Sequence, residues 1–286
     1  MVRVLVTGAE GGLGRAWVRA LGREGLSLAP AWPGKIEVAA YPRAQLDVAS
    51  PHAAAFIEQE VRPDIVLNCA GRVDIDYCET SPWEAFRVNR DGADHVARAC
   101  VRRGALPVYF STDLVFDGGK LEPYLEEDPP NPLNAYGESK LAGELRTASV
   151  SRRHLILRTG WIYGQPGNHF LAPLGGLGPF PVNETQIGQA TWIGDFLEAA
   201  LFLLRAGRTG RWHVASLGAA TQADVARRAR ELSGLEGVKP EVRGPIGSPP
   251  LPGNSVLDVS KLAGAGHAVR SWEEGLNAYL KTLPGR

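Results

Sequence analysis

Short runs of consecutive apolar residues recur through the first half of the chain, each followed by a segment with helical spacing. VRVLVTG from Val2, DIVLNCAG from Asp64, ALPVYFST from Ala105 and HLILRTGW from His154 are the clearest runs. They are apolar at nearly every position rather than at alternate ones, the pattern of parallel strands covered on both faces. Between them the spacing predicts helices over Pro51–Val61, Trp83–Arg103 and Asn134–Ser149, and a helix after the first strand to about Arg23. Alternation of this kind implies right-handed crossovers and an α/β fold with a doubly wound parallel sheet. GLSLAP at Gly25 and IEVAAYP at Ile36 compete for the second strand, and the later one, or a split between the two, is favoured.

The alternation stops after Trp161. NHFLAPLGGLGPFPV is apolar but too rich in glycine and proline for a long helix. Asp195–Arg205 reads as a helix, RWHVAS at Arg211 as a strand, Gln222–Ser233 as a helix and Gly244–Ser255 as a Pro/Gly loop, and a closing helix begins at Ser271. The expected organisation is a dinucleotide-binding domain over 1–160 and a smaller, loop-rich C-terminal substrate lobe over 161–286. The 193–216 segment is expected to pack back on the first domain.

Composition narrows the class. Of 286 residues 44% are hydrophobic and 22% charged, with 31 basic and 31 acidic side chains. That balance fits a globular protein and gives no electrostatic footprint for nucleic acid. The longest apolar segment, Ile193 to Leu204, is interrupted by Asp195 and Glu198 and is too short to cross a bilayer. The N-terminus enters a strand directly, without a signal-peptide pattern, so a cytoplasmic location is expected. Cys69, Cys78 and Cys100 have no metal-knuckle spacing and read as reduced and packed, and no metal site is indicated.

TGAEGGLG places Gly8, Gly11 and Gly14 in G-x-x-G-x-x-G spacing, directly after the first strand and before a helix. Such a turn lets one glycine take positive φ, a second admit a phosphate to the backbone, and a third allow helix and strand to touch. Free N–H groups at the helix start then face a pyrophosphate. The context points to a Rossmann-type dinucleotide site with Thr7, Gly8, Gly11, Leu13 and Gly14 at the turn. Asp47 and Val48 are expected at the adenine, and Ala70 and Gly71 at a strand end where the cofactor backbone passes. No acid closes the second strand, whereas Lys35 and Arg43 lie near it. An arginine there suits a 2′-phosphate, so Arg43 favours NADP (NADPH) over NAD (NADH).

Tyr136 and Lys140, in NPLNAYGESKLAGE, are one helical turn apart and share a face. A lysine ammonium beside a phenol lowers its pKa from about 10, toward the range useful for acid–base catalysis. Both could also meet the nicotinamide ribose. In FSTD, at the end of the third clear run, Ser111 and Thr112 are neighbours and only one can face the crevice; Thr112 is chosen as the carbonyl-polarising hydroxyl.

The glycine turn, Ser-Thr-Asp at a strand end and Tyr-x-x-x-Lys together resemble the extended short-chain dehydrogenase/reductase family. Within it, RPDIVLNCAG, STDLVFDG, PLNAYGESKLAGE, LILRTGWIYG, GNHF, TQIGQAT and LDVSKL…SWEEGL follow the order of the dTDP-4-dehydrorhamnose reductase family. The resemblance implies hydride transfer from NAD(P)H to the C4 ketone of a dTDP-4-dehydro-6-deoxy-L-mannose. Tyr136 would be the proton donor, Lys140 its partner and ribose contact, and Thr112 the carbonyl contact. It also places Asp113, Trp161 and Gln186 at the substrate. A homodimer and a divalent ion, which some members use, stay open. The chain departs from the family where Leu114 replaces a tyrosine, where Phe170–Phe180 is short and apolar, and where Ala190 replaces a proline. Another nucleotide-sugar ketoreductase or epimerase, or a catalytically silent NADP-binding regulatory subunit, are the competing readings.

Overall fold

The computed structural model describes residues 1–165, 171, 180–233, 240–242 and 249–283. The chain opens with β1 (Val2–Thr7), α1 (Gly12–Leu21), β2 (Ile36–Tyr41) and α2 (Ala53–Phe56), which widens into a π-turn over Ile57–Val61. Next come β3 (Ile65–Asn68), α3 (Ile75–Thr80), α4 (Pro82–Phe86), a second π-turn at Arg87–Asp91, and α5 (Gly92–Arg103). Then follow β4 (Leu106–Thr112), a short turn of helix at Asp113–Val115, α6 (Ala135–Val150), β5 (Leu155–Thr159) and β6 (Ile162–Tyr163). The remainder comprises β7 (Phe180–Val182), β8 (Thr191–Trp192), α7 (Ile193–Arg205), β9 (Gly210–His213), α8 (Gln222–Ser233), β10 (Pro240–Val242), α9 (Ser260–Gly264) and α10 (Trp272–Leu280).

The main sheet has six parallel strands in the order β2-β1-β3-β4-β5-β9. Its period-2 geometry sorts side chains onto two faces. Val4, Val6, Ile65, Leu67, Val108 and Phe110 pack with α1 and α7, around Trp17 and Phe196. Leu5 and Val66 turn the other way, onto α2 and α5, and Tyr109 and Ile156 meet Ala93 of α5. All the residues of β3, β4 and β5 are buried, which is why their sequences read as unbroken apolar runs. β2 is the later of the two competing segments and forms an edge of this sheet; around Gly25 there is only an isolated bridge between Leu28 and Trp32. β9 forms the other edge, beside β5.

The order reverses between β1 and β3, whose C-terminal residues Thr7 and Asn68 stand in register. Such a switch point opens a crevice outside the carboxyl ends of the strands. The expected Trp83–Arg103 helix begins at Pro82 and carries the π-turn, which was not visible in its spacing. α3 was also not anticipated. Most of Phe170–Phe180, and part of the Gly244–Ser255 loop, lie outside the described residues. Among the described residues no helix is long and apolar enough to cross a membrane, and no group of three or more His, Cys, Asp or Glu side chains is placed to hold a metal ion.

Candidate active site

The crevice at the switch point holds about 640 Å³ of open space. Of the residues singled out for a dinucleotide, Gly8, Gly11, Arg43, Asp47, Val48, Ala70 and Gly71 line it. Gly8 has φ of +59°, and a Cβ there would come within 2.8 Å of the Ala70 backbone. Gly14 faces the Gly8 carbonyl, and a Cβ would come within 2.8 Å of the Ala9 Cα. Any side chain at either position would push the turn off the strand or fill the cradle. Thr7, Leu13 and Gly14 stand behind the lining. The Thr7 hydroxyl donates to Asn68 Oδ1 at 2.8 Å and accepts from the Ala70 N–H at 3.2 Å, locking the β1 and β3 ends together. Leu13 packs on the core cluster beneath.

Arg43 follows β2 at the carboxyl end of the sheet, its side chain 56% exposed and its Nε 3.8 Å from Asp47 Oδ2. Lys35 precedes β2, its carbonyl accepting from the Val2 N–H. It therefore sits at the opposite end of the sheet, too far away to read a ribose. Asp47 accepts from the Ala49 N–H at 3.1 Å and lies 3.6 Å from Arg87 Nη1, so it caps the turn before α2 while lining the crevice. The crevice thus fits a dinucleotide: a glycine cradle, free N–H groups at a helix start, and at the end of β2 an exposed guanidinium, only loosely paired with Asp47, where the adenosine ribose would lie.

The catalytic candidates converge beside it on β4 and α6. Asn134 caps α6, accepting from the Gly137 N–H at 2.9 Å, and this presents Tyr136 in the first turn and Lys140 in the next. The Lys140 amine is buried, donates to the Phe110 carbonyl and stands over the Tyr109 ring at 4.5 Å. It also adjoins Gly71 of the crevice, where a Cβ would lie 3.9 Å from Nζ. Burial pushes the amine down to about 8, and the nearby Glu144 carboxylate opposes that shift. The Tyr136 phenol lies beside the Thr112 hydroxyl, close enough for Thr112 to oppose the rise in its pKa. Thr112 donates to Asp113 Oδ1 at 3.1 Å and accepts from the Leu114 N–H at 3.2 Å. Ser111 is buried facing the other way, its Oγ without a hydrogen-bond partner.

One expectation is corrected. Burial raises the Tyr136 pKa above its ordinary value, the Thr112 hydrogen bond opposes the rise, and Lys140 does not depress it. The reason is geometric: the ammonium is drawn to the Phe110 carbonyl rather than aimed at the phenol. At neutral pH the resting phenol therefore keeps its proton and can donate it.

The three residues carried over for the substrate are placed differently from one another. Asp113 is 3% exposed, with both carboxylate oxygens engaged, one by Thr112 and one by the Ser255 hydroxyl at 2.5 Å. Trp161 follows β5 with φ of +33°, an uncommon conformation for a bulky side chain, and its ring lies against Gly188. Gln186 accepts from Asn183 at 2.9 Å and donates to the Pro252 carbonyl at 3.2 Å, tying two loops together.

Comparison with known proteins follows this geometry. Residues 2–284 match the family model described as RmlD substrate binding domain. The chain belongs to this family. It is 34% identical to the spore coat polysaccharide biosynthesis protein SpsK of Bacillus subtilis, covering 98% of each chain. It is 34% identical to a dTDP-4-dehydrorhamnose reductase of Streptomyces griseus, covering 99% of this chain and 95% of the relative. A crystal structure of dTDP-4-dehydrorhamnose reductase from Bacillus anthracis in complex with NADP superposes with a TM-score of 0.87, at 30% identity and 99% coverage of both chains.

Among the features of this RmlD-family chain, three escaped sequence reasoning. Asn89, on the π-turn before α5, accepts from the Arg72 N–H and donates to the Arg72 carbonyl and to Ser139 Oγ, each at 2.9 Å. It thereby ties the 69–72 crevice loop to the helix bearing Tyr136 and Lys140. Glu144 and Arg158, both 0% exposed, form a two-pronged pair at 2.8 and 2.7 Å, joining α6 to β5. Arg211 of β9 adds a second cation at 3.2 Å. An arginine inside the apolar run HLILRTGW is the signal that a buried partner must exist.

Proposed function

We propose that this RmlD-family protein reduces the C4 ketone of dTDP-4-dehydrorhamnose to dTDP-L-rhamnose with NADPH. Bound in the switch-point crevice, the cofactor supplies the hydride. The observation that carries the reading is the convergence of Tyr136, Thr112 and Lys140 on the rim of that crevice, in a chain alike to dTDP-4-dehydrorhamnose reductases along its length.

The residues divide the work. Gly8, Gly11 and Gly14 bring the backbone to the pyrophosphate, and Arg43 meets the 2′-phosphate. Lys140, charged below about pH 8, holds the ribose. Tyr136, protonated at neutral pH, gives its proton to the oxygen of the reduced carbon. Trp161 forms the sugar-facing wall beyond β5. The partner is a nucleotide sugar.

Purified protein given NADPH and the 4-keto sugar, generated in situ, is expected to consume cofactor and form dTDP-L-rhamnose. Cofactor binding without turnover of this or any related keto sugar would oppose the reading. Arg43→Ala is expected to weaken NADPH binding about 10–100-fold while leaving NADH binding nearly unchanged, in keeping with the loss of one charge-assisted contact. Equilibrium titration of both cofactors against both proteins checks this.

A further inference from the structure

Thr112 has one hydroxyl proton, and the structure commits it. The Thr112 oxygen gives that proton to Asp113 Oδ1 at 3.1 Å and accepts from the Leu114 N–H at 3.2 Å. A hydroxyl so arranged cannot also donate to a substrate carbonyl. We propose that Asp113 is a positioning residue that sets which way the Thr112 hydroxyl points its proton. As a carboxylate it draws the Thr112 hydrogen inward, away from the substrate. As a carboxylic acid it donates to Thr112 Oγ, which turns the Thr112 hydrogen outward, toward the substrate carbonyl. The proposal rests on the reduction proposed above, with Thr112 as the carbonyl contact.

Three features of the site support this. Asp113 is sealed from solvent, so its protonation is felt by its neighbours rather than screened. Its second oxygen is held by the Ser255 hydroxyl at 2.5 Å, from a segment more than 140 residues away in sequence. The packing around it is tight: a Cβ on Gly160, just beyond β5, would lie 2.9 Å from Oδ2, so the carboxyl has one place to be. Burial raises this carboxyl to about 6, with Ser255 and Thr112 opposing the rise, which brings the reversal within reach of mild acid. Few other charges face it. The Tyr136 phenol on α6 is its ionisable neighbour, and beyond the phenol lie the Cys78 thiol of α3 and the Lys140 amine.

The sign follows directly. Below about pH 6 the acid form predominates and the Thr112 hydrogen points outward; above it the carboxylate draws that hydrogen inward. For the intact protein kcat/KM for the keto sugar is expected to fall about tenfold from pH 5 to pH 7, as for one titrating group. Asp113→Asn keeps the shape and cannot titrate, so the same span is expected to be flat within about twofold. Ser255→Ala removes a hydrogen bond to the carboxylate, so the break is expected about half a unit to one unit higher. Circular dichroism and NADPH titration show whether each variant is folded. A purely structural Asp113 would leave the break in place in the residual activity of Asp113→Asn, and that result, or the absence of any break near pH 6 in the intact protein, overturns the proposal. Failure of the underlying reading looks different: no sugar-dependent oxidation of NADPH at any pH, or full turnover by Tyr136→Phe.

Discussion

Tyr136→Phe is expected to lower kcat for the keto sugar about 10²–10⁴-fold, the range typical of a lost general acid, with NADPH affinity changed less than about threefold. Phenylalanine keeps the ring and its packing in the first turn of α6, and removes only the hydroxyl beside Thr112. Lys140 does not depend on that hydroxyl, because its amine is held by the Phe110 carbonyl and the Tyr109 ring. Binding and chemistry should therefore separate. Single-turnover kinetics with saturating NADPH distinguish them: a slow chemical step on a normally loaded enzyme is the expected pattern, and a matching loss of cofactor affinity would mean that Tyr136 chiefly builds the crevice. Lys140 adds a pH signature of opposite position. Its burial-lowered value of about 8 means the ammonium is present below that pH and lost above it, so ribose contact and activity should decline on the alkaline side.

The largest expected loss of stability lies behind the site. Glu144→Ala removes the carboxylate that meets Arg158 through Nε and Nη2, leaving a guanidinium with 0% exposure beside Phe116 and without its counter-charge. Breaking such a pair by deleting one partner typically costs roughly 3–5 kcal/mol, because the remaining ion has been taken out of water. Arg211 at 3.2 Å worsens the imbalance, since two cations would then face each other across the gap. Replacing both partners with apolar side chains, as in Glu144→Leu with Arg158→Met, should recover much of the loss. Urea denaturation of the wild type, the single variant and the double variant measures this. A single variant within about 1 kcal/mol of wild type would mean that the cluster reorganises freely, against the close packing of α6 on β5. Glu144 lies about two turns beyond Tyr136 on α6, so loss of the pair should also loosen the helix that carries Tyr136 and Lys140.

What could be read from residues alone follows from what each residue had to satisfy. Val2–Thr7, Ile65–Asn68, Leu106–Thr112 and Leu155–Thr159 are buried on both sides, and two-sided burial writes itself as an unbroken apolar run. The second strand was ambiguous because Ile36–Tyr41 is an edge, half exposed, with no such requirement. The pairing of Gly210–His213 with β5 joins segments separated by a long excursion, and nothing local encodes that register. The glycine turn was legible because its steric demand is local: only glycine fits where Gly8 meets Ala70. The direction of the Lys140 amine was not, since it depends on a strand carbonyl 30 residues away in the chain. Asn89 was hidden for a similar reason. The π-turn that swings it toward Arg72 and Ser139 leaves the hydrophobic spacing of α4 and α5 continuous. Leu114, in place of the family's tyrosine, is buried and contributes its N–H to Thr112, so that substitution trades a polar group for a packed one while keeping the turn at Thr112 and Asp113.

The fate of the transferred hydrogen tests the account most directly. NADPH carrying deuterium at its transferable position is supplied with dTDP-4-dehydrorhamnose, and the product is examined by mass spectrometry and proton NMR. The expected product is dTDP-L-rhamnose with one deuterium at C4 and one cofactor oxidised per sugar. Cofactor oxidation with no label in the sugar, label at another carbon, or a bound cofactor that is never consumed would contradict it.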